Sequence, residues 1–219
     1  LHIPVILTDS GIKDVVYNDF YIGENADVEI IAGCGIHNDG CDTSQHDGIH
    51  TFHIAKNAKV RYVEKHYGEG NGRGGRILNP VTIIHMEDGA YAQMDMSQIK
   101  GVDSTMRKTE ANLGPHAKLV INEKLMTHGK QTAHSDVTVN LNGEDSVVQS
   151  YPVRWGRMTR FRYSTLLPLE TINPVRTFNV IPSLWIMQRS AQFRKSQQIM
   201  WMRKLCMRQL LERSIPISW

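Results

Sequence analysis

From Leu1 to about Gln149, apolar and polar residues alternate with a period of two. Val60, Tyr62 and Glu64 share one parity, and Arg61, Val63 and Lys65 take the other. Leu119, Ile121 and Glu123 alternate in the same way with Val120 and Asn122. Successive side chains of a strand point to opposite faces, so the pattern predicts half-buried β-strands. These segments are rich in Val, Ile and Thr, which suit a pleated surface. Nothing before residue 150 keeps the roughly 3.6-residue period of a helix.

A short phrase recurs between the strands. Residues 24–28 read Glu-Asn-Ala-Asp-Val, 56–60 read Lys-Asn-Ala-Lys-Val and 115–119 read Pro-His-Ala-Lys-Leu. Looser copies are Glu-Asp-Gly-Ala-Tyr at 87–91 and Gly-Glu-Asp-Ser-Val at 143–147. Taking Ala26, Ala58, Gly89, Ala117 and Asp145 as equivalent gives spacings of 32, 31, 28 and 28 residues. A fixed period of roughly 30 with one polar turn per copy predicts stacked coils, each burying its apolar face on its neighbours. A β-sandwich would explain the strands but not the repeated turn. The predicted fold is therefore all-β, a right-handed parallel β-helix over residues 1–149.

Composition divides the chain at the same place. Residues 1–149 carry 13 Lys and Arg against 20 Asp and Glu, whereas residues 150–219 carry 12 against 2. All ten histidines precede residue 150 and all four tryptophans follow it. Three cysteines, an odd number, argue against a disulfide framework and for a reducing cytoplasm. No stretch approaches the roughly 20 apolar residues of a membrane span. The chain starts at Leu1 without an initiator Met or a visible signal peptide, which reads as an N-terminally truncated protein.

The densest chemistry lies at Cys34, His37, Cys41, His46, His50 and His53. Thiolate and neutral imidazole are ligands of zinc and of iron–sulfur clusters, so Cys34, His37, Cys41, His46 and His50 form the candidate metal set. The spacing matches no zinc-finger template, and hydrogen-bonded turn and strand side chains would account for the same residues. Alternation places His46, His50 and Phe52 on one face and His53 on the other. Glu64, His66 and His85 could stack one coil apart, although an exposed ladder is the simpler reading. Gly68–Gly75 has a glycine content like that of a phosphate loop, but it lacks the Lys and Ser/Thr ending and precedes no helix. It reads as a flexible loop between coils.

Several stretches together resemble the SufB/SufD family of iron–sulfur cluster assembly scaffold proteins. They are Val15-Val-Tyr-Asn-Asp-Phe20, Gly33-Cys-Gly-Ile-His37, Ser44-Gln-His-Asp-Gly-Ile-His50 and Val60-Arg-Tyr-Val-Glu-Lys-His66. Further on come Gln98-Ile-Lys-Gly-Val-Asp-Ser-Thr105 and Glu123-Lys-Leu-Met-Thr-His-Gly129. The likeness covers about two thirds of the chain and ends near Val148. It implies a β-helix core and a non-catalytic scaffold on which iron–sulfur clusters are built before transfer to apoproteins. It also implies a SufC-type ATPase and a SufB/SufD-type subunit as partners. The family's cluster-building cysteine and much of its ATPase-docking surface lie in the C-terminal part, and Cys206 matches no family cysteine.

After Gln149 the likeness stops, and residues 150–219 form a basic tail that reads as out-of-frame translation. Met and Trp have one codon each, so some shifted residues are forced: Trp185–Ile186 gives Asp, Met187–Gln188 gives Ala and Met200–Trp201 gives Val. Allowed choices between them spell Asp-Asn-Ala-Glu-Val, the recurrent turn phrase. A basic nucleic-acid arm with Arg194, Lys195, Arg203, Lys204 and Arg208, or a membrane-surface helix with Trp185, Trp201 and Leu210, would rest on composition alone. Neither a nucleic-acid nor a membrane partner is expected. An out-of-frame tail should leave the coil around Leu141 to Val148 exposed. The competing function is a metal-dependent β-helix enzyme acting on polysaccharide, which should show a row of acids or bases along one groove.

Overall fold

The computed structural model describes residues 1–156 in full and the backbone of strands 159–166 and 178–180. The chain winds through alternating strands of two parallel sheets. The first coil is β1 (His2–Leu7) and β2 (Lys13–Ile22), and the second is β3 (Asp27–His37) and β4 (Ser44–Ile54). The third is β5 (Lys59–Glu69) followed by β6 (Arg76–Leu78) and β7 (Val81–Met86), where Asn79 and Pro80 interrupt the strand. The fourth is β8 (Tyr91–Lys100) and β9 (Ser104–Leu113), and the fifth is β10 (Lys118–Met126) and β11 (Thr132–Leu141). They are followed by β12 (Val147–Trp155), β13 (Thr159–Leu166) and β14 (Phe178–Val180). One sheet has the order β1-β3-β5-β8-β10-β12-β14 and the other β13-β11-β9-β6-β4-β2, with β7 between β4 and β9. The predicted all-β parallel solenoid is what the chain forms, with about 5 turns and no helix among the described residues. No helix among them is long and apolar enough to cross a membrane.

The repeated phrase is the turn from the second sheet back to the first. Asn25, Asn57, Gly89, His116 and Asp145 stand just before the residue that closes each turn, with φ of 58°, 56°, 67°, 54° and 53°. Asn, Asp and His are the non-glycine residues that best tolerate this left-handed region, and the phrase uses all three. The next residue closes the turn: the N–H of Ala58 donates to the Ala55 carbonyl at 3.1 Å, and that of Ala90 to Glu87 at 3.2 Å. The strand registers align Ala26, Ala58, Ala90, Ala117 and Ser146. Ala26, Ala58 and Ala117 are thus equivalent as expected. Gly89 and Asp145 belong one position earlier, because the left-handed residue fixes the phase of each copy.

Two further expectations change. Gly68–Gly75 is a close-packed corner, not a flexible loop. Gly72 and Gly74 donate their N–H groups to the carbonyls of Asn38 and Gly40, and a Cβ on Gly74 would lie 2.0 Å from the Asp42 carbonyl oxygen. The glycines let two corners stack backbone to backbone. The solenoid also continues past the compositional break. Strand β12 crosses it, pairing Lys118–Met126 with Val147–Trp155, and buries Ser150 and Arg154. Leu141 and Val148 are buried instead of forming an exposed last coil. The readings placed on 157–158, 167–177 and 181–219, including Cys206, lie outside the described residues.

Candidate functional site

Inward positions of the two sheets divide the interior lengthwise. Beside the recurrent turn lie Ile54, Met86, Leu113, Leu141, Val60, Ala92, Leu119 and Val148, all within one apolar cluster. The same strands carry polar groups inward on the side of the opposite corner. Glu64, His66 and Gln98 come from the first sheet with Glu123 and Arg154; His46, His50, Thr82, Thr105, Arg107, Thr109 and Ser135 come from the second. A small apolar cluster of Cys34, Ile36, Leu78 and Val102 closes that side at the corner.

The charges form a buried chain along the solenoid axis. Arg107, 0% exposed, places Nη1 2.6 Å from Glu64 Oε2 and Nε 3.2 Å from Glu123 Oε1. Arg154 Nη2 pairs with Glu123 Oε2, and the Ser135 hydroxyl donates to the same carboxylate at 2.9 Å. Two carboxylates and two guanidiniums alternate and neutralise one another, the condition under which buried charge is tolerated. Burial alone would raise the Glu64 carboxyl, but His66 and Arg107 beside it hold it well below the usual carboxylate range.

Hydrogen-bond partners fix the tautomers around Glu64. Arg107 Nη2 lies 3.1 Å from His66 Nδ1. A guanidinium only donates, so Nδ1 accepts and the imidazole proton sits on Nε2, which faces Glu64 Oε1 at 3.5 Å. Burial pushes His66 down to about 4 despite the pull of Glu64, so it is neutral near pH 7. The Tyr62 hydroxyl donates to Glu64 Oε1 at 3.0 Å, which leaves its oxygen to accept from His50 Nδ1 at 2.6 Å. His50 is lowered, chiefly by burial, and is neutral too. His46 Nδ1 donates to Asp14 Oδ2 at 2.7 Å.

Cys34, His46, Gly48, His50, Glu64 and His66 line one narrow gap, closed by Leu78 and Pro80. Burial pushes the Cys34 thiol up to about 12, so it is a thiol at neutral pH. Of the candidate metal set, the fold thus gathers Cys34, His46 and His50. His37 and Cys41 are exposed on the corner instead, and His37 Nε2 bonds Asp39 Oδ2 at 2.8 Å. Among the described residues, no three or more His, Cys, Asp or Glu are already grouped to hold a metal ion. His53 points outward as expected, stacked between Tyr21 at 4.6 Å and His85 at 5.3 Å.

Sequence reasoning placed Glu64 and His66 on an exposed ladder, and it missed Arg107, Glu123 and Arg154. The signal was present: Glu64 and Glu123 occupy the parity of Tyr62 and Ile121, the buried one. No protein-family model, curated protein or solved structure matches the chain.

Proposed function

We propose that the chain is an iron–sulfur cluster assembly scaffold subunit of the SufB/SufD type, acting in the cytoplasm. In this reading it works with a SufC-type ATPase and a SufB/SufD-type subunit, and its cargo passes to apoproteins. The supporting observation is the polar half of the interior, where a thiol, three imidazoles and an ionised Glu64–Arg107 pair are held out of water. Sulfur and iron are cargo that such groups bind. A structural solenoid needs no such interior, since apolar side chains would fill it at lower cost. The polysaccharide-enzyme alternative needs its acids along an outer groove, whereas Glu64 and Glu123 face inward and are buried.

The test is capture of the ATPase subunit by two versions of the chain. One is the chain as it stands, and the other has the reading frame restored after Val148. The restored version is expected to capture the ATPase and to carry an iron–sulfur cluster after anaerobic reconstitution, and the present chain to fail at capture. Equal capture by both would place the docking surface within residues 1–149. Failure of both to capture the ATPase or hold a cluster would overturn the scaffold reading.

A further inference from the structure

His46 and His50 are oriented alike. Each gives its Nδ1 proton to an oxygen, Asp14 Oδ2 at 2.7 Å and Tyr62 Oη at 2.6 Å. In the neutral ring this leaves Nε2 bare, with its lone pair outward from the bonded side. Neither Nε2 has a hydrogen-bond partner among the described residues. Both atoms border one small space: a Cβ built on Gly48 would lie 3.4 Å from Nε2 of His46 and 3.3 Å from Nε2 of His50. The glycine between the two histidines keeps that space open. A carboxylate or other oxygen on the far nitrogen is the usual support of a metal-bound histidine, because it fixes the tautomer and aims the ring.

We infer that His46 and His50 hold a borderline divalent metal ion of the zinc or ferrous class through their Nε2 atoms over Gly48, with Cys34 as the third protein ligand. Two imidazoles and one thiolate are a donor set for such ions. Cys34 lines the same gap, and one water molecule completes the four-coordinate shell of an ion held by three protein ligands. The site requires the Cys34 side chain to turn so that its sulfur reaches the ion. The thiol releases its proton as the sulfur–metal bond forms, since a coordinating thiol is deprotonated outright. His66 is not a ligand, because its Nδ1 accepts from Arg107 and its Nε2 carries the proton that faces Glu64. The mechanical consequence is a brace between β3 and β4, the two strands of one coil. The inference does not depend on the scaffold reading, and its assay contains neither ATPase nor sulfide.

The test is anaerobic titration of the metal-free full chain with Co2+, a spectroscopic substitute for zinc. Saturation at one equivalent is expected, with tetrahedral ligand-field bands and a thiolate-to-cobalt charge-transfer band. Cys34→Ser should remove the charge-transfer band. Gly48→Ala keeps every ligand but fills the space between the two nitrogens, and should weaken binding at least about tenfold. Asp14→Asn should weaken it by about 10–100-fold through the loosened His46 ring. His53→Gln, on the outer face, should bind like the parent. Circular dichroism confirms that each variant is folded. No saturable uptake, a spectrum without the thiolate band, or parental affinity in Gly48→Ala would overturn the proposal.

Discussion

Two halves of one interior share the same strands, turns and pleat, yet they are stabilised by different physics. In the half beside the recurrent turn, Phe52, Ile54, Ile84, Leu113 and Leu119 are no more than 1% exposed and contribute by leaving water. In the other half Arg107 is equally buried, but its guanidinium is tolerated only because Glu64 and Glu123 flank it. The apolar half is a sum of small independent gains. The polar half is a chain in which each member is a condition for the next. It also buries the Thr82 and Thr109 hydroxyls and both amide atoms of Gln98 without a protein partner. Each such group costs on the order of 1–3 kcal/mol, so the apolar half supports a region that is expensive to fold. That is the expected distribution when one region specifies the fold and the other serves a site.

The largest effect should separate additive from conditional packing. Arg107→Met leaves two buried carboxylates facing each other and should cost about 3–5 kcal/mol in urea unfolding. Adding Glu64→Leu removes one orphaned charge and leaves Glu123 with Arg154 and Ser135, so the double variant should be more stable than Arg107→Met alone. Ile84→Val and Leu119→Ala in the apolar half should cost about 0.5–1.5 and 2–5 kcal/mol, and together roughly their sum. A double variant in the polar half that is worse than its parent would erase the distinction.

A second experiment uses pH, to which the apolar half is blind. His66 titrates at about 4 in the fold against an ordinary value of 6.5. Between those values the unfolded chain binds the extra proton, so stability falls as pH drops from 6.5 toward 4. The loss should be on the order of 3 kcal/mol. His50, lowered by burial, acts in the same direction. Glu64 is lowered instead, so its contribution is lost only at pH values below the ordinary 4.5. His66→Gln should flatten the urea midpoint between about pH 7 and pH 5. An unchanged slope in that variant would assign the acid sensitivity elsewhere.

A smaller effect than the loss of Arg107 or the acid sensitivity lies at the turn that closes the apolar half. Asn57 has φ of 56°. Asn57→Ala should lose about 1–2 kcal/mol from the left-handed backbone, and Asn57→Gly should lose less. Equal losses would show that the Asn57 side chain, not its backbone, holds the corner.

Much of this was written in local pattern. The period-two alternation gives strands, and the phrase with Asn, His or Asp before a small residue gives one left-handed turn per coil. Together they make a parallel solenoid nearly unavoidable. Alternation even gave the facing of His46, His50 and His53. Parity could not say which inward positions meet across the interior, because Arg107 lies 43 residues from Glu64 and the pair forms only when strands of opposite sheets in successive coils face each other. It could not separate Cys34 from Cys41 or His46 from His37 either, since strand and corner residues are interleaved along the chain. Nor did composition mark where the coils stop: β12 runs across the break at residue 149, because backbone hydrogen bonds and the inward Ser150 and Arg154 extend the ladder whatever the charge balance. The sequence determined the repeat and its facing. Only the stacked coils decided which buried charges are partners, because pairing across the interior is a long-range contact set by register.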